Sequence, residues 1–212
     1  MVNKRPELAR ANWDWAFGDW ESALGAASHV GRRDIVEFLI GYGARPNIFT
    51  FAMLGNYEVV KAMVDAIPGI QNTPGPHGIN LMRHAKVGLR SKELTEEQKT
   101  GSKRVITFLE EIGGADLSEV DINMTSAIKE TYIGDYKYGE GEKDGLSVKL
   151  NMRENLSLGK LGEFGGGLYQ KSQNLFSYNG ITSVEISFEV VDDKVLSLTI
   201  LEPDLELRAI KI

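Results

Sequence analysis

The chain has 212 residues, 42% of them apolar and 25% charged, a balance that suits one large or two small globular domains and excludes an extended disordered region. A formal charge of -6 without a basic stripe argues against general attraction to nucleic acid phosphates or anionic lipid. The absence of cysteine excludes disulfides, thiolate zinc sites and cysteine nucleophiles.

The acidity is uneven, and residues 121 to 212 carry -5 of the -6, which marks a compositional shift near residue 120. No apolar run approaches bilayer length. The start Met1-Val2-Asn3-Lys4-Arg5-Pro6-Glu7 has no apolar signal core, so the expected location is the cytoplasm, or the periplasm if an export segment has been removed.

Pro6-Glu7-Leu8-Ala9-Arg10 reads as the tail of an outer helix. All three tryptophans then fall in Trp13-Asp14-Trp15-Ala16-Phe17-Gly18-Asp19-Trp20, a segment read as a projecting finger. Exposed indoles there would act as interface anchors, whereas buried ones would cover the end of a stack.

Ser22 can cap a helix rich in small residues (Ala23, Gly25, Ala26, Ala27, Ser28), and Gly31 can take the left-handed conformation that ends it. Ile35, Val36, Leu39 and Ile40 follow at helical spacing. A second unit, Ile48 to Ile67, places Ala52, Gly55, Val59-Val60 and Met63-Val64 in the same relative order. Only 24 residues separate Gly31 from Gly55, so the finger between the two units is missing.

Asn80 can cap a third unit, and Thr95-Glu96-Glu97-Gln98 reads as a capping box that starts its outer helix after a charged insert. The unit resumes through Val105-Ile106, Leu109 and Gly113-Gly114-Ala115-Asp116.

From Tyr132 the apolar period becomes alternating and turn residues recur at short intervals. The predicted strands are Tyr132 to Tyr138, Leu146 to Arg153, Leu156 to Leu161, Gly167 to Lys171, Asn174 to Tyr178, Ser183 to Val191, Val195 to Leu201 and Glu206 to Ile212. Eight consecutive strands with tight turns suggest a meander that closes into a barrel.

The segment Ser22 to Asn47 resembles an ankyrin repeat, and Trp13 to Asn47 with Pro74 to Ala85 is similar to bacterial ankyrin-repeat proteins. The usual Thr-Pro-Leu-His reads Ser22-Ala23-Leu24-Gly25 and Asn80-Leu81-Met82-Arg83 in this chain. The C-terminal third, from Tyr132-Ile133-Gly134-Asp135-Tyr136 to Leu207-Arg208-Ala209-Ile210, resembles the small lipocalin-like accessory domain of some β-lactamase-like hydrolases. That likeness carries over no catalytic residue.

Together these imply an α+β multidomain protein: an N-terminal ankyrin-repeat α-solenoid over residues 1 to 116, a linker over 117 to 130, and an antiparallel β-barrel or meander over 131 to 212. The functional expectation is a non-enzymatic adaptor that binds another protein through the ankyrin concave face and finger tips. Its expected contacts are Trp13, Trp15, Trp20, His29, Met53, His77 and His84. The alternative is small-molecule or lipid binding in the β domain, with a mouth near Tyr136, Phe164 and Tyr169.

No catalytic residue and no cofactor are expected, since no acid, base and nucleophile converge. The three histidines show no regular ligand spacing and no carboxylate cluster, so they read as separate surface or packing residues and no metal site is expected. Gly162-Glu163-Phe164-Gly165-Gly166-Gly167 lacks the Lys-Ser/Thr of a phosphate loop and reads as a hairpin turn.

Overall fold

A computed structural model describes residues 1–91, 93–117, 124–151 and 154–212. It divides into two compact units: Met1–Trp15 with Trp20–Ser118, and Ala16–Asp19 with Glu119–Ile212. Among the described residues no helix is long and apolar enough to cross a membrane.

The first unit opens with a 3-10 turn over Pro6–Arg10 and a two-stranded ribbon, β1 (Asn12–Asp14) antiparallel to β2 (Trp20–Ser22), in the register Trp13↔Glu21 and Asp14↔Trp20. Six helices follow: α1 (Ala23–His29), α2 (Arg33–Gly41), α3 (Ile48–Leu54), α4 (Tyr57–Ala66), α5 (Leu81–Gly88) and α6 (Glu96–Ile112).

Side-chain caps start four of them. Ser22, Asn47 and Asn80 accept from the amides of Gly25, Thr50 and Arg83, and Thr95 with Gln98 forms the expected capping box. Gly31 and Gly55 take positive φ at the ends of α1 and α3, where a side chain would be strained. Two apolar clusters hold this unit. One gathers Leu24, Val36, Leu39 and Met53, and the other gathers Val60, Leu81, Val105 and Leu109.

The expected ankyrin-repeat α-solenoid is not what the structure contains. Its helices are short and scattered along the chain. The three short helices start at Ala23, Ile48 and Leu81, while their partners run from nine residues in α2 to 17 in α6. A solenoid requires each unit to present the same face to the next, and neither the spacing of the short helices nor the length of their partners is constant here.

The second unit begins its described C-terminal part with α7 (Ser126–Tyr132), capped by Thr125. This segment falls where a linker and the start of a strand were expected. An antiparallel sheet of eight strands follows: β3 (Gly134–Lys137), β4 (Gly145–Leu150), β5 (Leu156–Lys160), β6 (Gly166–Ser172), β7 (Leu175–Tyr178), β8 (Ile181–Val191), β9 (Lys194–Glu202) and β10 (Leu205–Lys211).

Each strand pairs with the next, and β10 pairs with β3, so the sheet closes as a barrel. The predicted strands match in number and order. The predicted extension of β4 through Met152 and Arg153 lies outside the described residues.

One continuous core joins every strand and α7. Tyr132, Tyr136, Phe176 and Phe188 form an edge-to-face aromatic group, with centroids 4.8 to 6.0 Å apart, and Val148, Leu158, Ile186 and Leu198 surround it. Tyr132 and Tyr136 hydroxyls are satisfied by Asn174 Oδ1 and the Tyr132 carbonyl. Residues 16–19 count with this unit: Phe17 stands edge-on to Tyr178, and Asn179 Nδ2 donates to Asp19 Oδ2 at 2.7 Å.

Candidate functional site

The first unit brings three of its polar and aromatic side chains together around one carboxylate. Glu21 is the central residue of β2, and its side chain is only 2% exposed. Trp15, just beyond β1, donates its indole Nε1–H to Glu21 Oε2 at 3.1 Å, and His77 Nε2 donates to the same oxygen at 3.1 Å.

His29, the last residue of α1, places Nδ1 2.9 Å from Glu21 Oε1. That approach lacks hydrogen-bond geometry. Both Oε1 and Nδ1 are buried without a hydrogen-bond partner among the described residues. The His77 ring lies between two others, 5.5 Å from His29 and 5.8 Å from Trp15, edge-on to each.

Local sequence explains each placement. Ser22 ends β2 by capping α1, which holds Glu21 one residue before the cap and His29 at the far end of the helix. Pro76–Gly78 forms a 3-10 turn in which His77 takes φ 59° and ψ 24°, a left-handed conformation that a non-glycine residue adopts at some cost. The turn aims the imidazole back at Glu21 from 56 residues away in the chain.

Burial acts to raise the Glu21 carboxyl, but the close approach of His29, the hydrogen bond from His77 and the charge of both rings override it and hold it at about 2, against an ordinary 4.5. The group is therefore a buried, ionised carboxylate flanked by two imidazoles.

The expected contact residues separate into three sets. Trp13, Trp15 and Trp20 are exposed at 68%, 54% and 61%. His29 and His77 are largely enclosed and belong to the Glu21 cluster. Met53 and His84 are corrected to core positions at 0% and 1% exposure, because α3 and α5 pack those faces inward. His84 Nδ1 bonds the Asn80 carbonyl at 2.9 Å, and its ring lies against Phe49. Burial is the main cause that pushes its pKa down to about 4, against the opposing pull of that carbonyl.

The reading of the histidines as three separate residues is thus corrected for two of them. Sequence reasoning missed Glu21, and the signal available was slight: a lone carboxylate between Trp20 and a helix-capping serine. Because the fold closes the gap between Glu21 and His77, ligand spacing along the chain could not show it.

In the second unit the segment Gly162 to Gly167 connects β5 to β6. Phe164 there is exposed beneath Lys149, while Tyr136 is fully buried. Comparison of the chain with family models, curated proteins and solved structures finds no match. Neither family likeness therefore adds a function to these sites.

Proposed function

We propose that the chain acts by binding another protein, with the β1–β2 ribbon as its docking element. The observation that carries this reading is the exposure of Trp13 and Trp20 on a ribbon of two three-residue strands. Large indoles left in water are unfavourable for the free chain and become favourable on desolvation by a partner, which makes tryptophan a recurrent interface anchor.

The register pairs Trp13 with Glu21 and Trp20 with Asp14, and neighbouring strand residues point to opposite sides. The two indoles therefore leave opposite faces of the ribbon. A ribbon of that kind fits a cleft that closes on both faces better than it fits a flat surface. Trp15 contributes differently, because its indole N–H is already engaged by Glu21.

Affinity capture with the wild-type chain beside a Trp13→Ala/Trp20→Ala double variant tests this reading. A stoichiometric protein bound by the wild type and lost from the folded variant is expected. Equal capture by both would reject the ribbon as the docking element.

The alternative of a lipid or small molecule inside the barrel has less support. Tyr132, Tyr136, Phe176 and Phe188 are buried together there and occupy the space such a ligand would need.

A further inference from the structure

We propose that Glu21, His29 and His77 form a binding site for one divalent transition-metal ion of the zinc type. One ligand atom from each of the three residues lies within 4.8 Å of the others. Zinc bonds nitrogen and carboxylate oxygen at about 2.0 to 2.2 Å, which sets its ligand atoms roughly 3 to 4 Å apart. The approach of His29 Nδ1 to Glu21 Oε1, 2.9 Å, is already near that spacing, and His77 Nε2 lies 3.1 Å from the other carboxylate oxygen, Oε2. A small rotation of the imidazoles would complete the set.

The second observation is the pair of buried atoms that the protein itself leaves unsatisfied. Glu21 Oε1 and His29 Nδ1 face each other at 2.9 Å without a hydrogen bond. A buried carboxylate oxygen without a donor is costly, and so is a buried ring nitrogen without a partner. A cation bound to both removes the two costs together.

The other carboxylate oxygen is already held, because Trp15 Nε1 donates to Oε2. That bond fixes the direction of Oε1, the part played by outer residues around many metal ligands. Trp15 is a positioning residue in this arrangement and does not touch the ion.

The donor set chooses the metal. Two imidazoles and one carboxylate suit zinc and its first-row neighbours, whereas calcium and magnesium take oxygen ligands. Three protein ligands leave a coordination position for water or a ligand from outside. His29 and His77, 13% and 24% exposed, are the accessible side of the cluster, and Glu21 at 2% is the enclosed side.

Zinc titration of the tag-free, chelator-treated full chain by calorimetry tests the site, with cobalt(II) as a visible-absorption probe. The expected result is one ion per chain at pH 7.5 and a cobalt spectrum of nitrogen and oxygen ligation. His77→Ala and Glu21→Gln should each weaken binding by roughly tenfold or more.

Circular dichroism establishes that the variants fold. Should Glu21→Gln fail to fold, His77→Ala decides the matter from its surface turn. Binding that does not saturate below about 0.1 mM zinc, or that is unchanged in the folded variants, would overturn the proposal.

Discussion

The two units solve the same problem, removing apolar surface from water, in opposite ways. The barrel gathers residues from all eight strands into one continuous core, whereas the helical unit divides its buried side chains between two clusters. In the barrel, backbone hydrogen bonds dictate which residues face inward. In the helical unit, helices meet through backbone contact at small residues: a Cβ on Gly88 of α5 would lie 2.1 Å from the Met53 carbonyl of α3. The contrast teaches that barrel stability lies in large side chains and helical packing depends on missing ones.

Truncating a barrel anchor should give the largest effect. Phe176→Ala, at a fully buried position between Tyr132 and Phe188, is expected to cost about 3 to 5 kcal/mol. Guanidinium unfolding followed by the near-ultraviolet dichroism of the tyrosines would measure it, and a loss under about 1 kcal/mol would show that the barrel core is looser than its ring contacts imply.

Acid should act on the helical unit first through His84. Its folded pKa of about 4 lies below the ordinary 6.5, so the unfolded chain binds the proton more readily. Stability conferred by the neutral ring is complete above 6.5 and is lost as pH falls from 6.5 toward 4, by on the order of 3 kcal/mol once both pKa values are passed. Glu21 acts in a lower window: its benefit is present above 4.5 and is lost as pH falls toward 2. Tryptophan fluorescence during urea unfolding at a series of pH values should therefore show a decline that begins near 6.5, and a His84→Gln variant should flatten that first part.

Adding one methyl group to the helical unit comes next. Gly88→Ala should destabilise it by about 1 to 3 kcal/mol, since the Met53 backbone cannot step aside as a flexible side chain could. Thr95→Ala should have the smallest effect, about 1 kcal/mol, through loss of the exposed capping box on α6. Both are read by the same fluorescence transition, and reversal of their order would mean that α3 and α5 are less tightly apposed than their geometry indicates.

The barrel was legible in the chain because alternation such as Val184, Ile186, Phe188 and Val190 has a period that only a strand can use, and turns such as Asn179-Gly180 punctuate it. Helix starts were legible for a similar reason: Ser22, Asn80 and Thr95 are local chemistry, settled within three residues. The short α7 escaped notice because Ala127 and Ile128 are its only aliphatic residues and most of it is exposed, so it carries no periodic stripe.

The organisation of the helical unit was misread as a regular stack. Small residues and glycine turns report that helices approach closely, but they do not require successive units to be equivalent. The exposed tryptophans were legible as candidates because they cluster in the sequence. The Glu21 cluster was not, since its members meet only after the turn at His77 folds back.

The closing seam of the barrel has a consequence for how the protein is made. β3 and β10 share only the pairs Ile210↔Lys137 and Lys211↔Tyr136, while β8 and β9 share seven. During synthesis the first barrel strand emerges long before its second neighbour exists, and its open edge must wait for nearly the whole unit to follow. Ring closure over that sequence distance makes the last strand the clasp of a slow folding step.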